Sequence, residues 1–372
     1  MTGRLRVLVS GMVAGDPWQG GATWAVLQFV LGLERLGHEV WLVEPVETLT
    51  EERGRYFRSV TSEFGIEARA TLLVERTREV VGASYSSIRR AADGADLLLN
   101  VSGMLTDERL LSQVGVRVWL DLDPCFNQLW HTVESIDMRL GGHDRFVTVG
   151  QRIGRPGCDV PDCGVSWVPM LPPVVLDEWP DGEAIVHDGL TTVGNWRSYG
   201  TIEHAGRRYG QKAHAARSLI ALPTMTGEAI MPAFAIHPGE VEDLAALRAH
   251  HWRLLNPALV AATPGSYREF VRASKGELAI AKEGYVVSRC GWFGDRSACY
   301  LAAGRPVVAA DTSFDEALPV GEGLLAFTDI EGAARAIEDV RGSYERHARA
   351  ARAIAEEYLD SGRVLNSLLE RL

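Results

Sequence analysis

The sequence contains no apolar run approaching the ~20 residues needed to cross a bilayer, so no membrane-spanning helix is expected. The apolar segment within residues 1–11 is too short for a secretory signal and reads as a first strand. Cysteine is scarce: five in 372 residues, unevenly spaced. That pattern argues against a disulfide scaffold and for a reduced, cytoplasmic setting. Positive charge is in deficit, with 38 Lys and Arg against 49 Asp and Glu and a formal net charge of −11. Generic attraction to nucleic acid or to an anionic membrane is therefore disfavoured. Internal repeats and low-complexity tracts are absent. What remains is an ordinary globular composition on a chain long enough for two domains.

What is present is an alternation of short buried runs and helical segments. Leu5 to Ser10 reads as a strand, followed by a loop carrying Gly11, Gly15, Gly20 and Gly21 and a helix over Thr23 to Leu36. HEVWLVEP is the next strand, and this β–Gly loop–α–β opening is a doubly wound start. Later strands are expected in Ala95–Gly103, Val116–Trp130 and FVTVG, and prolines 169, 172 and 173 mark a linker. A second series follows: a strand opening Thr191–Gly200, a strand in Ala233–Gly239, a helix over Glu240–His250 and a short strand in HWRLLNP. From Glu277 a β-branched run ends at Val287, and a loop with Gly291 and Gly294 leads to a helix capped by Asp295 or Ser297. Gly304 stops that helix, and Val307–Ala310 is the next strand. The free N–H groups at that helix N-terminus suit a phosphate, with Arg289 and Arg296 as flanking cations. The fold class is α/β, two Rossmann-like doubly wound domains across a cleft. Residues 1–170 form one, 171–345 the other, and 346–372 a helix that crosses back or stays on its own domain.

The Cys-Gly-Trp at 290–292, the capped helix, LAAGRPVVAAD and the polar loop after it resemble the donor-binding motif of GT-B nucleotide-sugar glycosyltransferases. Two features differ from the plant-type motif: the loop between Trp292 and Gly304 is about two residues longer, and Cys299 stands where many members place a ribose-binding glutamate. Gly291 occupies the first position of the two-glutamate spacing of the retaining group. The resemblance implies transfer of a sugar from a UDP- or TDP-sugar to an acceptor hydroxyl or amine, with no cofactor required. It places Gly194, Asn195, Arg197, His237, Arg289, Gly291, Trp292, Asp295, Arg296, Ser297, Asp311 and Thr312 around the donor. Gly20 and Gly21 fall on the acceptor side.

A departing diphosphate gains charge that a helix N-terminus and arginines can neutralise. Asp121 and Asp123 spell a DxD pair but lie in the first domain, so metal-independent transfer is expected, with no metal ligand assigned. An inverting reaction needs a base near the acceptor; Asp16, Asp123 and His131 are the candidates. Asp123 also reads as a cap for the following helix with Asn127 and Gln128. Lys212 reads as a solvated helix lysine or a phosphate contact; Cys158 and Cys163 read as free loop thiols or a local bridge, or with His143 as a metal site lacking a fourth ligand. The expected partners are a small-molecule donor and acceptor, not nucleic acid; homodimerisation stays open. A sugar-nucleotide epimerase of the same fold and a non-catalytic nucleotide-sugar-binding protein are the rival readings.

Overall fold

Two parallel sheets carry the chain. The structure is a computed structural model and describes residues 3–372. The first sheet holds β1 (Arg6–Ser10), β2 (Glu39–Pro45), β3 (Ala70–Val74), β4 (Glu79–Gly82), β5 (Leu97–Val101), β6 (Val116–Asp121), β7 (Arg145–Thr148) and β8 (Trp167–Pro169). Their spatial order is β4-β3-β2-β1-β5-β6-β7-β8, parallel except for the β3–β4 pair. The interior strands are near-continuous Val and Leu runs because helices cover both faces. The second half begins with β9 (His187–Asn195) and a small hairpin of β10 (Ile202–His204) and β11 (Arg207–Tyr209). It continues with β12 (Ile230–Ala235), β13 (Ser274–Ala279), β14 (Val307–Ala310) and β15 (Leu324–Phe327), in the parallel order β12-β9-β13-β14-β15.

Strand order reverses at β1/β5 in the first sheet and at β9/β13 in the second. The carboxyl ends of strands at such a reversal leave a crevice for ligands, and here the two crevices face each other. The first helix, α1 (Gly20–Arg35), starts three residues earlier than its apolar periodicity suggests, so Gly20 and Gly21 lie in its first turn. Glycine is required at position 20: a Cβ there would lie 2.3 Å from the carbonyl oxygen of Thr263. The Gly20 N–H donates to the Ala261 carbonyl at 2.9 Å, so the close approach serves contact between the two halves.

Three expectations change. The β-branched residues before Ser288 form a helix, Glu283–Ser288, and the strand is the preceding β13. Burial of Tyr285 against Phe126 and Trp292 overrides the β preference of Tyr-Val-Val. HWRLLNP runs beside edge strand β12 with only two backbone bonds, from Arg253 and Leu255, and forms no regular strand. The C-terminal segment is not one helix. Tyr344–Ile354 passes into a wide turn, Ala355–Leu359, and Asp360 caps a last helix, Ser361–Arg371. The break lies where Val174 docks, its N–H bonded to Leu359 and its carbonyl to Ser361. The last helix packs on α1, where a Cβ on Gly32 would meet Leu365 at 2.7 Å. No helix among the described residues is long and apolar enough to cross a membrane.

Candidate functional site

Three adjoining cavities fill the cleft, of about 460, 440 and 140 Å³. Asp295 lines all three, and Gly194, Asn195 and Arg296 are shared by the larger two. Asp295 and Arg296 open the helix Asp295–Ala302, which Gly294 precedes as N-cap without a side-chain bond. The N-terminal end of α1 reaches the same space through Gly21 and Ala22. Gln28 on α1 contacts Cys299 at 3.7 Å. Both helices therefore run side by side with their positive ends at the cleft. Cys299, at the position where the resemblance leads one to look for a ribose contact, is buried in that helix pair.

Arg296 is anchored from below. It pairs with Glu277, a fully buried residue of β13, and donates to the Val193 carbonyl at 2.9 Å. Burial works against its charge, but Glu277 holds the guanidinium protonated, above its ordinary range. Its Nη2 is buried without a hydrogen-bond partner. Lys212 stands beside it, Nζ donating to the Ile280 carbonyl at 2.6 Å. Burial first, and Arg296 second, push its ammonium well below the usual lysine range. A Cβ on Gly194 would lie 3.2 Å from Lys212 Cε and 3.8 Å from Arg296 Nη1, so the Gly194 turn is what leaves room above both cations. The Asp295 side chain is exposed only toward the cleft. Enclosure by the walls pushes its carboxyl up, while Arg296 and the amides of Arg296 and Asp295 pull it down. It stands at the first turn of its own helix.

The two halves meet at Asp123. Lys282 donates to it at 2.9 Å, Tyr199 at 2.6 Å, and Tyr285 to its other oxygen. Lys282 also lies 4.4 Å from the Tyr199 ring centroid and 5.1 Å from that of Phe126. Burial, and then the Asp123 charge, push both phenols up, so they remain donors. Neither aspartate caps the helix after β6, whose N-cap Cys125 makes no side-chain bond; the Asp121 carboxylate instead accepts from the side chains of Asn127, Gln128 and Thr148, each at 2.7 Å.

Of the residues singled out from sequence, Gly21, Asp123, Gly194, Asn195, Lys212, Trp292, Asp295 and Arg296 line the cavities. The others do not. Asp16 is exposed at the rim beside Pro17, with no side-chain hydrogen bond among the described residues. Gly20 is covered by Thr263. His131 Nδ1 accepts from Met138 at 3.5 Å, outside the cleft lining. Arg197 turns to Glu240 at 2.5 Å. His237 accepts from Gly239 in an exposed turn. Ser297 is buried behind Asp295. Gly291 is pinned to the first half, because Trp292 bridges Gly150 and the Cys290 carbonyl accepts from Arg152 at 3.0 Å. Behind that seam Arg289 donates to Ser313 at 3.1 Å, Asp311 accepts from the Ser313 amide at 2.6 Å, and Thr312 donates to the Trp292 carbonyl at 2.5 Å.

All five cysteines are free. His143 is bonded to Asn100 and the Arg139 carbonyl. Among the described residues no group of three or more His, Cys, Asp or Glu is placed to hold a metal ion. Sequence reasoning missed Lys282, Tyr285, Tyr199 and Glu277. The misplaced strand hid Lys282: with β13 ending at Ala279, it falls just past a strand end at the reversal point.

Compared with protein-family models and with curated proteins, the sequence has no match. Solved structures match over the whole length. Anabaena Alr3699/HepE in complex with UDP and glucose is 11% identical with a TM-score of 0.59, covering 99% of this chain and 100% of that one. An alpha-glucosyltransferase in complex with UDP and a 13-mer DNA is 11% identical with a TM-score of 0.66, covering 100% and 99%. A glycosyltransferase from Rickettsia africae is 11% identical with a TM-score of 0.54, covering 100% and 98%. The fold is GT-B. In GT-B terms the cavities described above are the interdomain cleft, and the Gly194 turn with Arg296 and Lys212 forms its second-half wall.

Proposed function

We propose that this chain is a glycosyltransferase that moves a sugar from a UDP-sugar to an acceptor hydroxyl or amine, with residues 1–170 as the acceptor half and 171–345 as the donor half. The carrying observation is the convergence of Arg296, Lys212 and the N-terminal ends of two helices on the Gly194–Asn195 turn. The UDP found in HepE and in the alpha-glucosyltransferase makes UDP the favoured nucleotide over TDP. The diphosphate sits at the first turn of the helix Asp295–Ala302, beside the Arg296 guanidinium. Its negative charge favours the protonated form of Lys212 against the push of burial. As the sugar–phosphate bond breaks, charge grows on the leaving oxygen, and these fixed cations stabilise it without a metal. Asp123 acts as a positioning residue, since Lys282, Tyr199 and Tyr285 occupy both its oxygens. Asp16 and His131 stay outside the reacting centre. The cleft extends beyond the cation cluster along the first-half wall, which favours a second substrate and hence transfer over epimerisation.

The test is to incubate the protein with UDP-glucose in excess chelator and follow UDP by chromatography. We expect UDP release that depends on an added acceptor and persists in chelator. Isomerisation of the donor alone, or activity abolished by chelator and restored by a divalent ion, would contradict this reading.

A further inference from the structure

The two walls of the central cavity differ in kind. The second-half wall presents Asn195, Ser198, Lys212, Lys282 and Arg296. The first-half wall presents Met12, Val26, Val101, Met104 and Leu122, with Ser102 and Asp123 its polar members. Asp123 is already neutralised by Lys282 across the cleft. From this wall the slot of about 140 Å³ leads inward past Phe29, Val149, Pro172 and Phe293. It shares Ala25, Leu122, Trp292 and Asp295 with the cavity, and Asp295 at its mouth and Gln28 are its polar members. That volume is about the size of apolar cavities known to take up benzene.

We infer that the acceptor is a small apolar molecule, ring-bearing and carrying one reactive hydroxyl. This rests on the transferase reading above and names the substrate that the second half of the cleft takes. A saccharide acceptor would press several hydroxyls against methionine, valine and leucine side chains that offer no hydrogen bonds, and each unmatched hydroxyl loses its water for nothing. A nucleic-acid strand needs cations along its path, and the first-half wall of this cavity has no lysine or arginine. An apolar ring seated in the slot buries its surface against Phe29 and Phe293. Its hydroxyl then points back toward the polar wall, where the sugar carbon lies. Transfer joins that oxygen to the sugar carbon, breaks the bond from the sugar to the diphosphate, and releases UDP with the hydroxyl proton passing to solvent or phosphate.

The experiment uses the full chain with 2-naphthol as the apolar probe and maltose as the saccharide probe. Binding is read by naphthol fluorescence, with UDP affinity measured separately by calorimetry. We expect saturable 2-naphthol binding that maltose does not displace, and a naphthyl glucoside when UDP-glucose is present. Leu122→Asp should weaken 2-naphthol by at least about tenfold while UDP affinity moves little, and Leu122→Ile should keep both. Naphthol that fails to bind while UDP binds, or displacement of naphthol by maltose, would overturn the inference and leave the transferase reading standing. Naphthol that binds while UDP does not would overturn the transferase reading instead.

Discussion

Glu44 and Asp121 are fully buried carboxylates at the carboxyl ends of β2 and β6. Glu44 accepts from the amides of Ala14 at 2.8 Å and Gly15 at 2.5 Å, and so holds the loop that enters α1. Burial pushes it up to about 7 against the pull of those amides. Burial likewise pushes Asp121 up to about 6, against its three side-chain donors. Between the ordinary and the raised value, the folded protein keeps a proton that the unfolded chain has released. Stability therefore falls as pH rises, from 4.5 to about 7 for Glu44 and from 3.8 to about 6 for Asp121. The full effect is roughly 3 kcal/mol for each. Histidines 38, 143, 187 and 214, lowered by burial, act in the opposite sense over this interval, so the decline is read as a difference: in urea unfolding from pH 4.5 to 7.5, wild type should lose stability relative to Glu44→Gln as pH rises. A difference that stays constant over that interval would contradict the account.

At the scale of elements, the decisive contacts are places where backbone meets backbone. Gly20→Ala puts a methyl group 2.3 Å from the Thr263 carbonyl and 2.7 Å from the Ala261 carbonyl. Neither can rotate away, so the start of α1 must separate from the second half. We expect a loss of about 1–3 kcal/mol in chemical denaturation, against no measurable change for Gly141→Ala, which meets nothing within 4 Å. Equal stability of the two variants would remove Gly20 as the seam. This seam shows where sequence reading stops. The β–Gly loop–α–β opening and the Gly304 stop are local patterns, and they are legible because period and capping act within a few residues. Whether Gly20 serves an acceptor or a neighbouring carbonyl depends on Thr263, far along the chain. Tyr-Val-Val before Ser288 has strand propensity and still forms a helix, because Phe126 and Trp292 receive Tyr285. Once that strand is misplaced, Lys282 drops out of view, although it joins the halves at Asp123 inside the cleft. Arg289, Asp311 and Thr312 match a motif by spacing, but the seam at Gly150–Arg152 draws their loop away from the cavities.

At the scale of the whole molecule, a chain of net charge −11 still brings Lys212, Lys282 and Arg296 to one cavity. Two helix ends, Arg296 and Lys212 face the gap between the sheets, and the Asp123–Lys282 pair fixes the spacing of its walls. The central claim is that this place binds the diphosphate of a nucleotide sugar. Calorimetry with UDP on the wild-type chain and on Lys212→Met tests it most directly, since the substitution keeps the apolar stem and removes the ammonium, with its charge and its bond to the Ile280 carbonyl. The account predicts UDP binding by the wild type, weakened at least ~10-fold in Lys212→Met, with circular dichroism unchanged. No UDP binding by the wild type, or equal affinity in the two proteins, would contradict it.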